Sequence, residues 1–228
     1  MSVSSSMVNF PANGHTCDGY LALPPGGTGP GLIVIQEWWG LVDHIKALAD
    51  RFASEGFVAL APDLYHGERT TSPDQAGKLL MALNIADAGK DMRGAAEYLR
   101  ASPAVKPKKV ATIGFCMGGQ LALYAAQEHP DVINAAVDYY GIHPKVEIVP
   151  SRVKVPVLGH FATRDKSVSL DAVHAMASAC NGAGGSFEVH EYEADHAFFN
   201  DTRPQVYDAA AAALSFSRTL AFLRKVLA

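Results

Sequence analysis

The sequence predicts an α/β fold with a mainly parallel central sheet and helices on both faces, and three observations carry that reading. Short apolar runs rich in β-branched residues, at 31–35, 57–61 and 109–113, look like strands buried on both faces. They alternate with helical patterns at roughly 25 to 40 residues per unit, the rhythm of βαβ crossovers. Each run also ends in a cluster of chemically capable residues, Gln36-Glu37-Trp38-Trp39-Gly40, Pro62-Asp63-Leu64-Tyr65-His66-Gly67 and Gly114-Phe115-Cys116-Met117-Gly118-Gly119. Ligands of open α/β sheets bind outside the carboxyl ends of the strands, so function is expected there.

The chain has 228 residues, 49% of them hydrophobic, enough to fill one α/β core. No linker divides it, so a single domain over residues 1–228 is expected. The net charge of −4 comes with Lys and Arg scattered along the chain, which argues against nucleic acid or an anionic membrane as partner. Three cysteines, Cys17, Cys116 and Cys180, are odd in number and far apart. That usage fits a reducing compartment better than a disulfide framework. No signal-like N-terminus and no membrane-length apolar run is read, so a cytoplasmic protein is expected, as monomer or homodimer.

Two short strands, 7–10 and 16–23, flank Asn13-Gly14 and read as a hairpin. Proline and glycine at 24–30 make a loop before the strand 31–35. Ile45, Leu48, Ala49 and Phe52 lie at helical spacing over 43–54, with Gly56 as the stop. After the strand 57–61, Asp63 is placed as a turn brace and His66 as a spectator. Helices at 73–83 and 87–100 lead to the strand 109–113. Strands at 130–138, 153–161 and 187–192 follow, with a helix at 170–180 between the last two. A helix over 205–227 closes the chain, with Phe216, Leu220, Leu223 and Leu227 on one stripe.

The stretch around Cys116 organises the chemistry. Strand, sharp turn and helix bring the thiol to a helix N-terminus, where free N–H groups favour negative charge. Glycine two residues before and two after the cysteine leaves room for so tight a turn. This is the nucleophile elbow of α/β-hydrolases with sulfur in place of oxygen, and no Gly-x-Ser-x-Gly competes with it. A thiol attacks well only as thiolate, so it needs a base and a charge to hold that base. In the chain order nucleophile, acid, base, each at a strand end, Cys116, Asp165 and His196 fit. Asp138 is the rival acid, and Asp195 competes because it adjoins His196; His160 and His190 are weaker bases. Glu37 stands at the end of strand 31–35, and the backbone N–H groups of Trp38 and Met117 are placed to face an oxyanion.

Taken together, Gln36-Glu37-Trp38-Trp39-Gly40, Pro62-Asp63-Leu64-Tyr65, the cysteine elbow, Tyr139-Tyr140-Gly141 and Asp195-His196-Ala197-Phe198 resemble the dienelactone hydrolase (carboxymethylenebutenolidase-like) family in order and over nearly the whole chain. The resemblance implies a single-domain α/β-hydrolase without a large lid and a Cys116–Asp165–His196 triad. It further implies that the Glu37 carboxylate controls when Cys116 loses its proton, so that the resting thiol is protected from oxidation until substrate moves that carboxylate. The family's type member binds its anionic lactone with two arginines, and Asn200 and Pro73 occupy the matching positions here. Arg69 and Arg203 lie nearby in sequence and read as free surface residues.

The expected activity is therefore hydrolysis of a neutral, partly apolar or aromatic ester or lactone through a thioester, with a side activity on activated phosphotriesters. Trp39, Tyr65, Phe198 and Phe199 are expected to contact the substrate. No cofactor and no metal is expected, because His190 and His196 lack a helical His-x-x-x-His spacing. The alternative is a non-catalytic or redox-sensing module in which Cys116 is oxidised reversibly.

Overall fold

The computed structural model describes residues 2–228. Nine residues of β1 (Ser4–Ala12) pair antiparallel with β2 (His15–Leu23) across Asn13 and Gly14, both at positive φ, as an Asn-Gly hairpin turn requires. Then come β3 (Gly29–Ile35), α1 (Asp43–Ser54), β4 (Val58–Pro62), α2 (Pro73–Ala82), α3 (Ile85–Ala101), β5 (Val105–Phe115), α4 (Met117–Glu128) and β6 (Ala135–Tyr139). The chain finishes with β7 (Pro156–Ala162), α5 (Leu170–Gly182), β8 (Ser186–Tyr192) and α6 (Ala209–Leu227). The eight strands form one sheet in the order β1-β2-β4-β3-β5-β6-β7-β8, parallel from β4 to β8 and antiparallel only at the hairpin edge.

Because the central strands are buried on both faces, each face needs its own apolar cover. Ile45, Leu48 and Phe52 of α1 join Phe216, Leu220, Leu223 and Leu227 of α6 over one face. Met92, Ala95 and Leu99 of α3 join Leu121 and Ala122 of α4 and Ala177 of α5 over the other. Side chains cap the helix starts: Asn84 accepts from Asp87 N (3.2 Å) and Asp208 from Ala211 N (2.9 Å). Gly56, at φ 100°, follows α1 in the left-handed conformation that glycine takes freely.

Two expected boundaries are corrected. The strand expected over 130–138 begins only at Ala135, because Asn134 forms a corner: its N–H donates to Val110 O (2.7 Å) and its Oδ1 accepts from Val110 N (2.9 Å). The last helix starts at Ala209 instead of Gln205, since Val206 and Tyr207 still donate to the carbonyl of Arg203 in a preceding turn. No helix among the described residues is long and apolar enough to cross a membrane.

Candidate active site

β5 runs straight into α4, and the corner residue is Cys116 at φ 54°, ψ −121°. A positive φ is costly for a residue with a Cβ, on the order of 1–2 kcal/mol, so the surroundings must impose it. They do so with hydrogen bonds: Cys116 N donates to Tyr139 O (3.0 Å), and Cys116 O accepts from Gly119 N (3.0 Å) and Ile142 N (3.2 Å). Packing adds a second constraint. A Cβ on Gly114 would sit 1.9 Å from Gly118 O, and one on Gly118 would sit 2.5 Å from the carbonyls of Ile35 and Gln36. Glycine on both sides of the cysteine is thus the condition for bringing β3 and α4 against the elbow.

Asp165 follows β7, with its side chain fully shielded from solvent. Its Oδ2 accepts from His196 Nδ1 at 2.6 Å, and its Oδ1 accepts from Ser167 N (2.7 Å) and Val168 N (3.2 Å). Burial alone would raise its pKa, but the His196 hydrogen bond and charge and the two backbone donors together hold it below the usual value. An ionised carboxylate on Nδ1 leaves Nε2 as the nitrogen free to take a proton. The ring of Tyr140, itself at φ 42°, packs 5.0 Å from the imidazole and fixes its plane.

His196 and Cys116 line one cavity of about 240 Å³, together with Glu37, Trp38, Trp39 and Arg203. Glu37 is 2% exposed, and its Oε2 accepts from Asn200 Nδ2 at 2.9 Å. Asn200 cannot turn its amide, because its Oδ1 already accepts from Thr202 N and Oγ1. Burial raises the Glu37 pKa against the opposing Asn200 hydrogen bond and the charges of His196 and Arg203. The Cys116 thiol is pushed up to about 12, first by burial and then by the Glu37 carboxylate, while Met117 N–H and Arg203 pull the other way. The resting site therefore holds a protonated thiol.

Cys116, His196, Glu37, Trp38 and Trp39 line one cavity, with Asp165 bonded to His196 and Met117 next to Cys116 at the start of α4, and three expected contacts lie elsewhere. Phe198 and Phe199, 0% and 2% exposed, are core residues stacked among Phe115, Tyr139, Tyr192 and Phe216. Their apolar character serves packing, which sequence alone does not separate from substrate contact. Tyr65 is buried, its hydroxyl donating to Met117 Sδ (3.1 Å), and it lines a different hollow. Asp63 braces the turn after β4 by accepting from Tyr65 N and Gly67 N.

Three of the four rivals are paired elsewhere. His160 is buried between Tyr192 and Thr219, His190 pairs with Glu188, and Asp195 faces Arg164. Asp138 is fully enclosed near Gly141, and its Oδ1 has no hydrogen-bond partner among the described residues. Arg203, read from sequence as a free surface residue, instead lines the cavity; the turn of 200–207 that carries it there gave no periodic signal.

Comparison with known proteins identifies the family. The family model "Dienelactone hydrolase family" matches residues 17–227. "Protein usf" of Aquifex pyrophilus is 40% identical over 97% of this chain and 98% of its own length. Among solved structures, a dienelactone hydrolase-like promiscuous phosphotriesterase from metagenomic libraries superposes with a TM-score of 0.89 at 25% identity, covering 100% of both chains. A dienelactone hydrolase from Anabaena variabilis, at 20% identity and a TM-score of 0.71 over 100% of both chains, shares the fold. On the strength of that family match and of a 40% identical relative covered over nearly its full length, the chain belongs to the dienelactone hydrolase family of ester and lactone hydrolases.

Proposed function

We infer that the protein hydrolyses carboxylic esters and lactones by covalent catalysis on Cys116. The observation that carries this reading is the 2.6 Å hydrogen bond from His196 Nδ1 to a shielded Asp165, with His196 and Cys116 on the wall of one cavity. His196 Nε2 takes the thiol proton as sulfur bonds to the carbonyl carbon, and the N–H groups of Trp38 and Met117 hold the resulting oxyanion. The imidazolium then protonates the leaving alkoxide oxygen as the C–O bond breaks, giving a thioester. Water attacks that thioester, His196 taking its proton and returning it to sulfur, and the acid is released.

Trp38 and Trp39, with ring centroids 5.0 Å apart, give the cavity an aromatic wall suited to an apolar or aromatic acyl or alcohol group. Arg203 is the cation lining the same cavity, and it offers one charge-assisted contact to a carboxylated substrate. The relative that is a promiscuous phosphotriesterase supports a slow side reaction on activated phosphotriesters, since a pair of N–H donors placed for a carbonyl oxyanion also suits a phosphoryl oxygen. A redox-sensing role leaves the 2.6 Å hydrogen bond from His196 to the shielded Asp165 without a purpose.

Cys116→Ala is expected to reduce p-nitrophenyl acetate hydrolysis by at least about 10³-fold. In the unsubstituted enzyme, mass spectrometry of a reaction quenched in acid is expected to find one acyl group on Cys116. Retained activity in the alanine variant, or an acyl group on another residue, removes Cys116 from the mechanism.

A further inference from the structure

A second histidine–carboxylate cluster joins three elements that the active site does not use for chemistry. His15 opens β2, His66 follows β4, and Asp91 lies on α3. None of the three lines the cavity that holds Cys116. Asp91 is 1% exposed, and both of its carboxylate oxygens lack a hydrogen-bond partner among the described residues. A carboxylate buried without donors costs several kcal/mol unless something compensates it. What faces it is a pair of imidazoles, His15 Nε2 at 3.3 Å from Oδ1 and His66 Nε2 at 3.3 Å from Oδ2.

The distances admit a second explanation. A direct ion pair between an imidazolium and a carboxylate closes to about 2.7–2.9 Å, as charge-assisted N–H···O bonds do. His196 and Asp165, at 2.6 Å, show that closure in the same molecule. Both contacts to Asp91 stop short of it. Donor atoms around one small ion stand about 3–4 Å from one another, and each imidazole here stands at such a distance from its own carboxylate oxygen, His15 from Oδ1 and His66 from Oδ2. All three candidate ligand atoms lie within 4.8 Å of one another, and the two imidazole rings stand nearly perpendicular at 78° with centroids 5.0 Å apart.

Local backbone supports the same geometry. His66 sits at φ 51°, a conformation that non-glycine residues avoid, and the turn is held there by Asp63. His15 follows directly on the Asn13-Gly14 turn. The histidine side chains are 39% and 49% exposed, so an ion has a way in and solvent has access to a fourth position. Lys90, one residue before Asp91 on α3, is already paired with Asp87 at 3.0 Å.

We propose that His15, His66 and Asp91 form a binding site for a divalent ion of the zinc class, tetrahedral with one position left to solvent. Two imidazole nitrogens and one carboxylate suit a borderline ion and not Ca²⁺ or Mg²⁺, which take oxygen shells. Such an ion clamps the β1–β2 turn, the end of β4 and α3 to one another. Since the unfolded chain does not hold these ligands together, binding stabilises the fold.

The test is titration of chelator-treated full-length protein with Zn²⁺ by calorimetry and with Co²⁺ by absorption. The expected result is one ion per chain, a Tm increase of about 5–10 °C at a hundredfold excess over Kd, and a tetrahedral cobalt spectrum without a sulfur charge-transfer band. Asp91→Asn and His66→Ala are expected to abolish both signals. His15→Ala, on an exposed turn that leaves the core intact, is expected to weaken binding at least tenfold and to retain ester hydrolysis in metal-free buffer. Absence of stoichiometric uptake, binding undiminished in all three variants, or a thiolate band pointing to Cys17 or Cys116 overturns the site.

Discussion

Asp165 and Asp91 are both shielded carboxylates facing histidine, and they differ in what fills their oxygens. Asp165 accepts three hydrogen bonds, two of them from backbone N–H groups that no pH change removes, and its pKa is held down. Asp91 accepts none among the described residues, stands 3.3 Å from two imidazoles, and burial drives its pKa up despite those two neighbours. A carboxylate satisfied by the fold is a fixed negative charge that orients one imidazole. A carboxylate left unsatisfied keeps lone pairs available for something that is not part of the chain.

The most severe way to break this comparison is to make Asp165 neutral without changing its shape. Asp165→Asn can still accept from Ser167 and Val168, but its amide now presents an N–H where the imidazole Nδ1–H needs an acceptor. The wrong tautomer of His196 is then favoured, and kcat for ester hydrolysis is expected to fall by about 10²–10⁴. The zinc-dependent rise in Tm should not change. A loss of less than tenfold would mean that the Asp165 charge does not govern the histidine, and the two clusters would no longer be different in kind.

The two regions also differ in how they stand in the sequence. Cys116 and Asp165 follow strands whose apolar runs announce their ends, His196 follows the alternating strand 187–192, and the order of these strands along the chain is their order across the sheet. The elbow was legible for a steric reason, since only glycine fits at 114 and 118. His15, His66 and Asp91 come from a hairpin turn, a strand end and a helix face, 51 and 25 residues apart, and converge through topology alone. Arg203 and the Asn200–Glu37 contact were hidden in the same manner, being carried by a turn without periodicity. Phe198 and Phe199 mislead from sequence because an aromatic shortly after a strand-end histidine packs inward as readily as it faces a ligand.

Asp138 sharpens the comparison as an intermediate case. It is as enclosed as Asp91 but faces a backbone donor, Gly141 N–H, and burial sets its pKa at about 7 against an ordinary 3.8. Below the ordinary value both folded and unfolded chains hold the proton. Between 3.8 and about 7 the unfolded chain releases it while the folded chain keeps it, so this group costs stability as pH rises through that window, and the cost levels off above it. Asp138→Asn removes that slope. Its Tm advantage over the unsubstituted protein is expected to grow from about pH 4.5 to pH 8, with an upper bound of about 4 kcal/mol for the full displacement. A Tm difference that is the same at both pH values would show that Asp138 ionises normally in the folded state.

Glu37 has one donor, Asn200, and its charge acts on sulfur and not on an imidazole partner of its own. Burial is the first cause of the high thiol pKa and the Glu37 carboxylate the second, so removing that charge lowers the pKa without bringing it to the ordinary value. Glu37→Gln keeps an acceptor for Asn200 and changes the charge alone. Alkylation of Cys116 by iodoacetamide at about pH 8 is expected to speed up by about threefold to tenfold, the rise in thiolate fraction being partly offset by its lower nucleophilicity. Alkylation that is unchanged or slower would assign the protected resting thiol to burial alone, and would leave the Glu37–Asn200 contact as a packing feature of the cleft wall.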